Sequence, residues 1–264
     1  MKHYVPKFTT AKAPAKEVYR PGLVSISFRK NTQREILEMM KRADLKYIEW
    51  GSDVHAPHRS LGMLSELAQL QAQFGVTCSS YGTYFRLGET PTEELEYYIS
   101  AAKTLGTDVL RLWAGRKCGK DMPLSELEKF MDACWRAVDI AEREGVKLCL
   151  ECHANSFTER LEDTLMLMDN VDSDKFRMYW QPFRNRSFEE NLEYLKKTEQ
   201  YVENIHVFNW DANGRYPLED AIDTWKKYLS VLARPRHLLL EFMPDDQLAT
   251  LPREAEALKR IISE

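Results

Sequence analysis

The sequence predicts an α/β chain folded as a single-domain (β/α)8 barrel. Three observations carry that expectation. Short apolar runs alternate eight times with amphipathic helical stretches, no linker or shift of composition interrupts them, and 264 residues suit eight such units. An open doubly wound sheet would want a glycine-rich phosphate turn after its first strand. Phe28-Arg29-Lys30-Asn31-Thr32 holds no glycine.

Residues 1–20 mix Lys, Thr, Ala and Pro without periodicity and read as an N-terminal tail or a cover strand. The catalytic barrel is expected over 21–264. After Pro21-Gly22, Leu23–Phe28 reads as strand one, and Thr32–Asp44 as a helix with Ile36, Leu37 and Met40 on one face. Tyr47–Gly51 is strand two. The helix Leu61–Phe74 is closed by Gly75 in the manner of a C-terminal glycine cap, and Val76–Tyr81 is strand three. Thr90-Pro91 opens and Gly106 closes the helix Thr92–Leu105. Val109–Trp113 is strand four, followed by the long helix Leu124–Glu144. Gly145 precedes strand five, Lys147-Leu148-Cys149-Leu150-Glu151, and a helix over about Thr158–Asn170 follows. Strand six ends at Gln181-Pro182, before a helix over Ser187–Val202. Strand seven holds His206, with a helix over about Leu218–Leu232. Strand eight ends at Glu241, and a helix over about Gln247–Ile262 completes the pattern.

Composition limits the partners. With 44% hydrophobic residues the chain can bury a sizeable core. Its 37 basic and 41 acidic residues give a formal charge of −4, which offers no electrostatic reason for a nucleic-acid or anionic-membrane partner. No apolar run approaches the ~20 residues of a membrane span, and the N-terminus lacks the apolar core of a signal peptide. A cytoplasmic protein acting on a small molecule is expected, with a homo-oligomer left open. Five cysteines are an odd count that argues against a disulfide framework. Cys149 and Cys152 spell C-x-x-C, but on a strand they point to opposite faces and cannot share a metal.

In such a barrel the working groups sit where strands end and βα loops begin. A carboxylate facing the surrounding helices would be uncompensated. Glu151, Gln181, His206 and Glu241 are therefore placed on the inner face at the C-terminal rim. Singly, a strand-end Glu is more often half of an ion pair, and a strand His more often a satisfied core residue. Four such groups on four consecutive strands, all at the same end, point instead to a common ligand. Two carboxylates, an imidazole and an amide oxygen suit a divalent ion such as Mn2+, Co2+, Mg2+ or Zn2+.

These residues carry a resemblance to a known family. Glu-x-His on strand five (Glu151, His153), His206 on strand seven, the Leu-Leu-Leu-Glu ending at Glu241, and Glu-Trp-Gly-Ser-Asp-x-His over Glu49–His55 resemble the xylose isomerase-like TIM barrels. That superfamily of sugar isomerases and epimerases includes tagatose 3-epimerase and inosose dehydratase. The resemblance covers residues 22–242. It implies a metal held by Glu, Asp, His and Glu on strands five to eight, which fall here on Glu151, Gln181, His206 and Glu241. Position 181 departs from the pattern, because Gln offers an oxygen but no charge. The set then carries −2 rather than −3, which weakens metal binding or leaves more positive charge to polarise a substrate.

The resemblance implies a sugar isomerase or epimerase acting on a ketose or keto-polyol. Glu151 and Glu241 would serve as both ligands and acid/base groups, passing a proton through an enediolate. Loss of a β-hydroxyl from the same intermediate would make it a dehydratase. It also suggests that His55 contacts substrate. Arg86, His153, Trp113 and Arg215 are further candidates for the pocket. Arg111, if it faces inward, pairs with Glu49 or Glu151. Asn209-Trp210-Asp211 and Arg215-Tyr216-Pro217 form a long seventh loop that reads as a lid. Two rivals remain: a barrel that binds sugar without turning it over, and a phosphodiesterase of the abasic-site endonuclease type. The second would want more than six histidines and a basic surface.

Overall fold

Eight parallel strands pair in sequence order and close on themselves, the last against the first. They are β1 (Arg20–Val24), β2 (Tyr47–Gly51), β3 (Thr77–Arg86), β4 (Val109–Trp113), β5 (Lys147–Glu151), β6 (Phe176–Trp180), β7 (Val202–Val207) and β8 (His237–Leu240). The helices are α1 (Gln33–Arg42), α2 (Leu61–Gln73), α3 (Leu95–Leu105), α4 (Leu124–Glu144), α5 (Leu161–Val171), α6 (Phe188–Thr198), α7 (Ile222–Leu229) and α8 (Leu251–Ile262). This computed structural model describes residues 19–263. The expected tail therefore lies outside the described residues up to residue 18. Tyr19 and Arg20 already belong to the barrel: the Tyr19 hydroxyl donates to Leu229 O at 3.2 Å and the Arg20 N–H to Arg236 O at 3.1 Å.

Local chemistry explains why the elements start and stop where they do. Thr32 and Ser187 open α1 and α6 with reciprocal capping boxes to Glu35 and Glu190. Gly106 and Gly145 end α3 and α4 at φ +85° and +71°, a left-handed turn that a Cβ would strain. Two strands differ most from expectation. The first leaves the ladder after Val24, and Ser25–Phe28 becomes a 3-10 turn. The Ser25 hydroxyl accepts the Gly51 N–H at 2.9 Å, a side-chain bond that replaces the next rung. The third runs on to Arg86 through a register shift after Gly82, where the Thr83 hydroxyl donates to Arg111 O at 2.7 Å.

The barrel separates two apolar cores. The larger lies between the strands' outer faces and the helices. The smaller fills the interior with Val24, Ile26, Val109, Cys149, Tyr179 and Leu239. Cys149 thus faces inward and Cys152 outward, and all five cysteines are free and buried. Among the described residues no helix is long and apolar enough to cross a membrane.

Candidate metal and acid–base site

Parallel register decides which side chains meet inside the barrel. Asn204 pairs beside His237 and His206 beside Leu239, so β7 carries one polar residue low in the barrel and one at its rim. Glu151 ends β5, while Gln181 and Glu241 lie one residue beyond β6 and β8. The Glu241 N–H still reaches Val207 O at 3.0 Å. The chain then turns sharply at Phe242, whose φ of +54° is unusual for an aromatic residue and whose N–H is held by the Ser27 hydroxyl at 2.9 Å.

One donor atom each from Glu151, His206 and Glu241 lies within 4.8 Å of the other two, all buried. His206 Nδ1 lies 3.5 Å from Glu241 Oε2 and 3.1 Å from Gln181 Oε1. The Gln181 amide N–H donates to Glu151 Oε1 at 3.3 Å. The four expected ligands therefore converge. Among the described residues this is the one grouping of three or more such side chains, far from the histidine-rich cluster of a multi-zinc nuclease.

Beneath them lies a second layer of charge. Glu49 is fully buried on β2. It accepts hydrogen bonds from Arg111 Nε at 2.9 Å and from the Ser80 hydroxyl at 3.0 Å. Arg111 Nη1 reaches across to Glu151 Oε2, so one guanidinium bridges both glutamates. Gly82 leaves the room: a Cβ there would sit 2.5 Å from Glu49 Oε1 and 2.9 Å from Arg111 Nη2. His206 Nε2 faces Glu49 Oε2 at 3.7 Å and makes no hydrogen bond, although it is buried.

The electrostatics follow from this packing. Burial opposes ionising Glu49, but Arg111 and then His206 outweigh it and hold the carboxyl down at about 2. Burial also opposes charging His206, yet Glu241, Glu49 and Glu151 raise it to about 9. Glu241 has the reverse balance: burial, reinforced by Glu151 and Glu49 against His206 and Arg111, lifts it to about 7. A carboxyl that titrates near neutral pH at the floor of a cavity suits general acid–base work.

The donor set fits a divalent ion. A shell with ~2.1 Å bonds has edges of ~3–4 Å, close to the present spacing. An ion would replace the proton that His206 Nδ1 presents to Gln181 and Glu241. Glu49 would then back Nε2, the carboxylate–histidine arrangement typical of metal sites.

Above the charges opens a cavity of about 660 Å³ lined by Arg86, Arg111, Trp113, Glu151, His153 and Glu241, among others. His153 donates Nδ1–H to Ala154 O at 2.7 Å and meets Trp113 edge-on, ring centroids 4.6 Å apart. Arg215 does not line the cavity. It stacks 4.8 Å from both Trp210 and Phe242 and pairs with Asp246, joining the seventh and eighth loops. The seventh loop folds as a small hairpin with Trp210 bridged to Arg215.

His55 is corrected. It is buried below the rim and does not line the cavity. Its Nε2–H donates to Asn31 O at 3.0 Å, and Nδ1 accepts from the Ser25 hydroxyl at 3.2 Å. It ties two loops together as a neutral ring, pushed down by burial. The residue whose place the sequence left open is Glu49. The available signal was a carboxylate inside an apolar strand, two strands away from an equally enclosed arginine.

A sequence profile described as xylose isomerase-like TIM barrel matches residues 37–261. The chain belongs to that family. No curated protein sequence matches it significantly. Among solved structures it resembles the probable 3-DHS dehydratase AsbF from Bacillus anthracis, with TM-score 0.73, 16% identity, and 92% of this chain and 99% of that one covered. It also resembles 3-keto-D-glucoside 4-epimerase from E. coli, with TM-score 0.69, 12% identity and coverage of 92% and 99%. A third is a xylose isomerase-like TIM barrel protein from Mycobacterium smegmatis in complex with magnesium, with TM-score 0.68, 13% identity and coverage of 93% and 97%. At such identities the likeness is one of fold.

Proposed function

We propose that the chain is a divalent-metal-dependent sugar isomerase or epimerase, cytoplasmic, acting on a ketose or keto-polyol. The carrying observation is the convergence of Glu151, Gln181, His206 and Glu241 under an open cavity. These four residues would hold the metal. When bound, it supplies Lewis-acid polarisation of the substrate carbonyl. Glu241, with its carboxyl near neutrality, takes the proton α to that carbonyl. Glu151, oriented by Arg111, passes a proton taken up from solvent to the other face, or Glu241 hands its own proton to the neighbouring carbon. Trp113, His153 and Phe208 wall the cavity, exclude water and orient the polyol. Arg215 contributes by holding Trp210 over the mouth.

A dehydratase shares the first proton abstraction and is the second reading, supported by the likeness to AsbF. A screen of ketoses and keto-inositols in D2O with Mn2+ tests both. Deuterium α to the carbonyl supports the isomerase and epimerase reading, and loss of water with an enone absorbance favours the dehydratase. A Glu241→Gln variant is expected to exchange at least ~100-fold more slowly, and full-rate exchange would refute its role. No divalent ion taken up on titration would leave the non-catalytic sugar-binding barrel.

A further inference from the structure

The cavity wall is cationic, against the balance of the whole chain. Four arginines line it, Arg29, Arg86, Arg111 and Arg184, against two carboxylates, Glu151 and Glu241. Two of these cations are neutralised within the fold: Arg29 by Asp53 at 2.7 Å, and Arg111 by Glu49 and Glu151. The other two are not. Among the described residues, neither Arg86 nor Arg184 has a carboxylate within 4.0 Å. Arg86 makes one side-chain hydrogen bond, Nη1–H to Gly115 O at 3.1 Å, which leaves its other N–H donors unused.

Both guanidiniums are already held in place. Arg86 lies 4.4 Å from the Trp113 ring centroid and Arg184 lies 4.0 Å from that of Trp210. Stacking on an indole fixes the plane of a guanidinium and leaves its N–H edge free, the geometry that receives an oxyanion in a forked pair. Burial and then the neighbouring Arg116 hold Arg86 below its usual range, outweighing the more distant Glu89 and Glu151. The Trp113 indole N–H is buried without a partner as well.

We infer that the substrate of this site carries an acid group, a carboxylate or a phosphate, away from its reacting carbonyl, and that Arg86 receives it, with Arg184 adding its charge across the mouth. The inference rests on the cavity being the substrate site and names the substrate class: an acidic keto-polyol. An acid on the substrate replaces the missing counter-charge and orients the polyol between Trp113 and the glutamates.

The test titrates the full chain, with Mn2+ and again with chelator, against ribitol, ribonate and ribitol 5-phosphate, followed by tryptophan fluorescence. One of the two acids is expected to bind at least ten-fold tighter than ribitol with or without Mn2+, and the tighter one assigns the acid. Arg86→Ala removes most of that preference, Arg86→Lys keeps part of it, and Arg184→Ala removes about half of it. Ribitol affinity changes less than two-fold in all three. Equal binding of the three probes, no binding of any, or an Arg86→Ala loss shared equally by ribitol overturns the inference. Acid preference without deuterium exchange would sink the proposed reaction and leave this inference standing; exchange on neutral ketoses without acid preference would do the reverse.

Discussion

His206 and His237 sit on neighbouring strands, face the same interior and are driven in opposite directions. His206, at the rim, is raised to about 9 by the glutamates around it. His237, at the base, is lowered to about 4 by burial and then Arg20. The hydrogen-bond partners of His237 are neutral, with Arg20 and Glu203 acting only from a distance: its Nδ1–H donates to Asn204 Oδ1 at 3.1 Å, Asn204 donates to the Tyr179 hydroxyl at 2.6 Å, and Tyr47 packs edge-on at 4.9 Å. At the rim every polar partner of His206 except Gln181 is a carboxylate. A satisfied neutral network locks the base, whereas opposed charges keep the rim ready to exchange a proton or hold a cation.

The hardest way to break this contrast is to remove the cation under the rim. Arg111→Met leaves Glu49 and Glu151 buried without their shared cation and should cost about 3–5 kcal/mol, a fall in Tm of roughly 10 °C. Adding Glu49→Gln should recover much of the loss. A denaturant or thermal melt with Arg111→Met unchanged from wild type would show that the bridge does not support the fold. Next in size is Gln181→Asp, which restores a third negative charge and should tighten Mn2+ binding by about ten-fold or more in calorimetry. Unchanged affinity would remove Gln181 from the ligand set.

A third test separates the two ends by pH. A lowered histidine binds protons more readily when unfolded, so the stability due to His237 is present above 6.5 and lost as pH falls through about 4. Glu49 is lowered from 4.5 to about 2, so its share is present above 4.5 and lost as pH falls towards 2. Metal-free His206 runs the other way: its share is present below 6.5 and lost as pH rises through about 9. Acid should therefore loosen the base first. His237→Gln should flatten unfolding free energy between pH 6.5 and 4 and leave the limb below 4.5 intact. An unaltered upper limb would contradict the assignment.

Much of this was legible in the amino-acid order. Val109–Trp113 and Leu124–Glu144 read to the residue because apolar runs there are bounded by glycine or proline. Glu151, His206 and Glu241 stood out because each is a polar group near the C-terminal end of an otherwise largely apolar strand. Arg111 was visible as an enclosed charge facing one of two glutamates. That it bridges both depends on Gly82 leaving space across the barrel, and no one-dimensional pattern records that. His55 was misread for a similar reason, since a loop histidine looks the same whether it faces the pocket or folds back onto Ser25.

Arg111 and Glu49 also divide the labour of the chain. The first four strands bring Glu49, Ser80 and Arg111, and the last four bring every donor atom. The site is thus a seam between half-barrels, assembled by ring closure itself. A fragment spanning only the second half would contain all four proposed ligands and still lack the buried arginine beside them. Grafting that half onto a foreign partner would carry the chemistry across only if the new neighbour also supplied a buried arginine and its counter-charge.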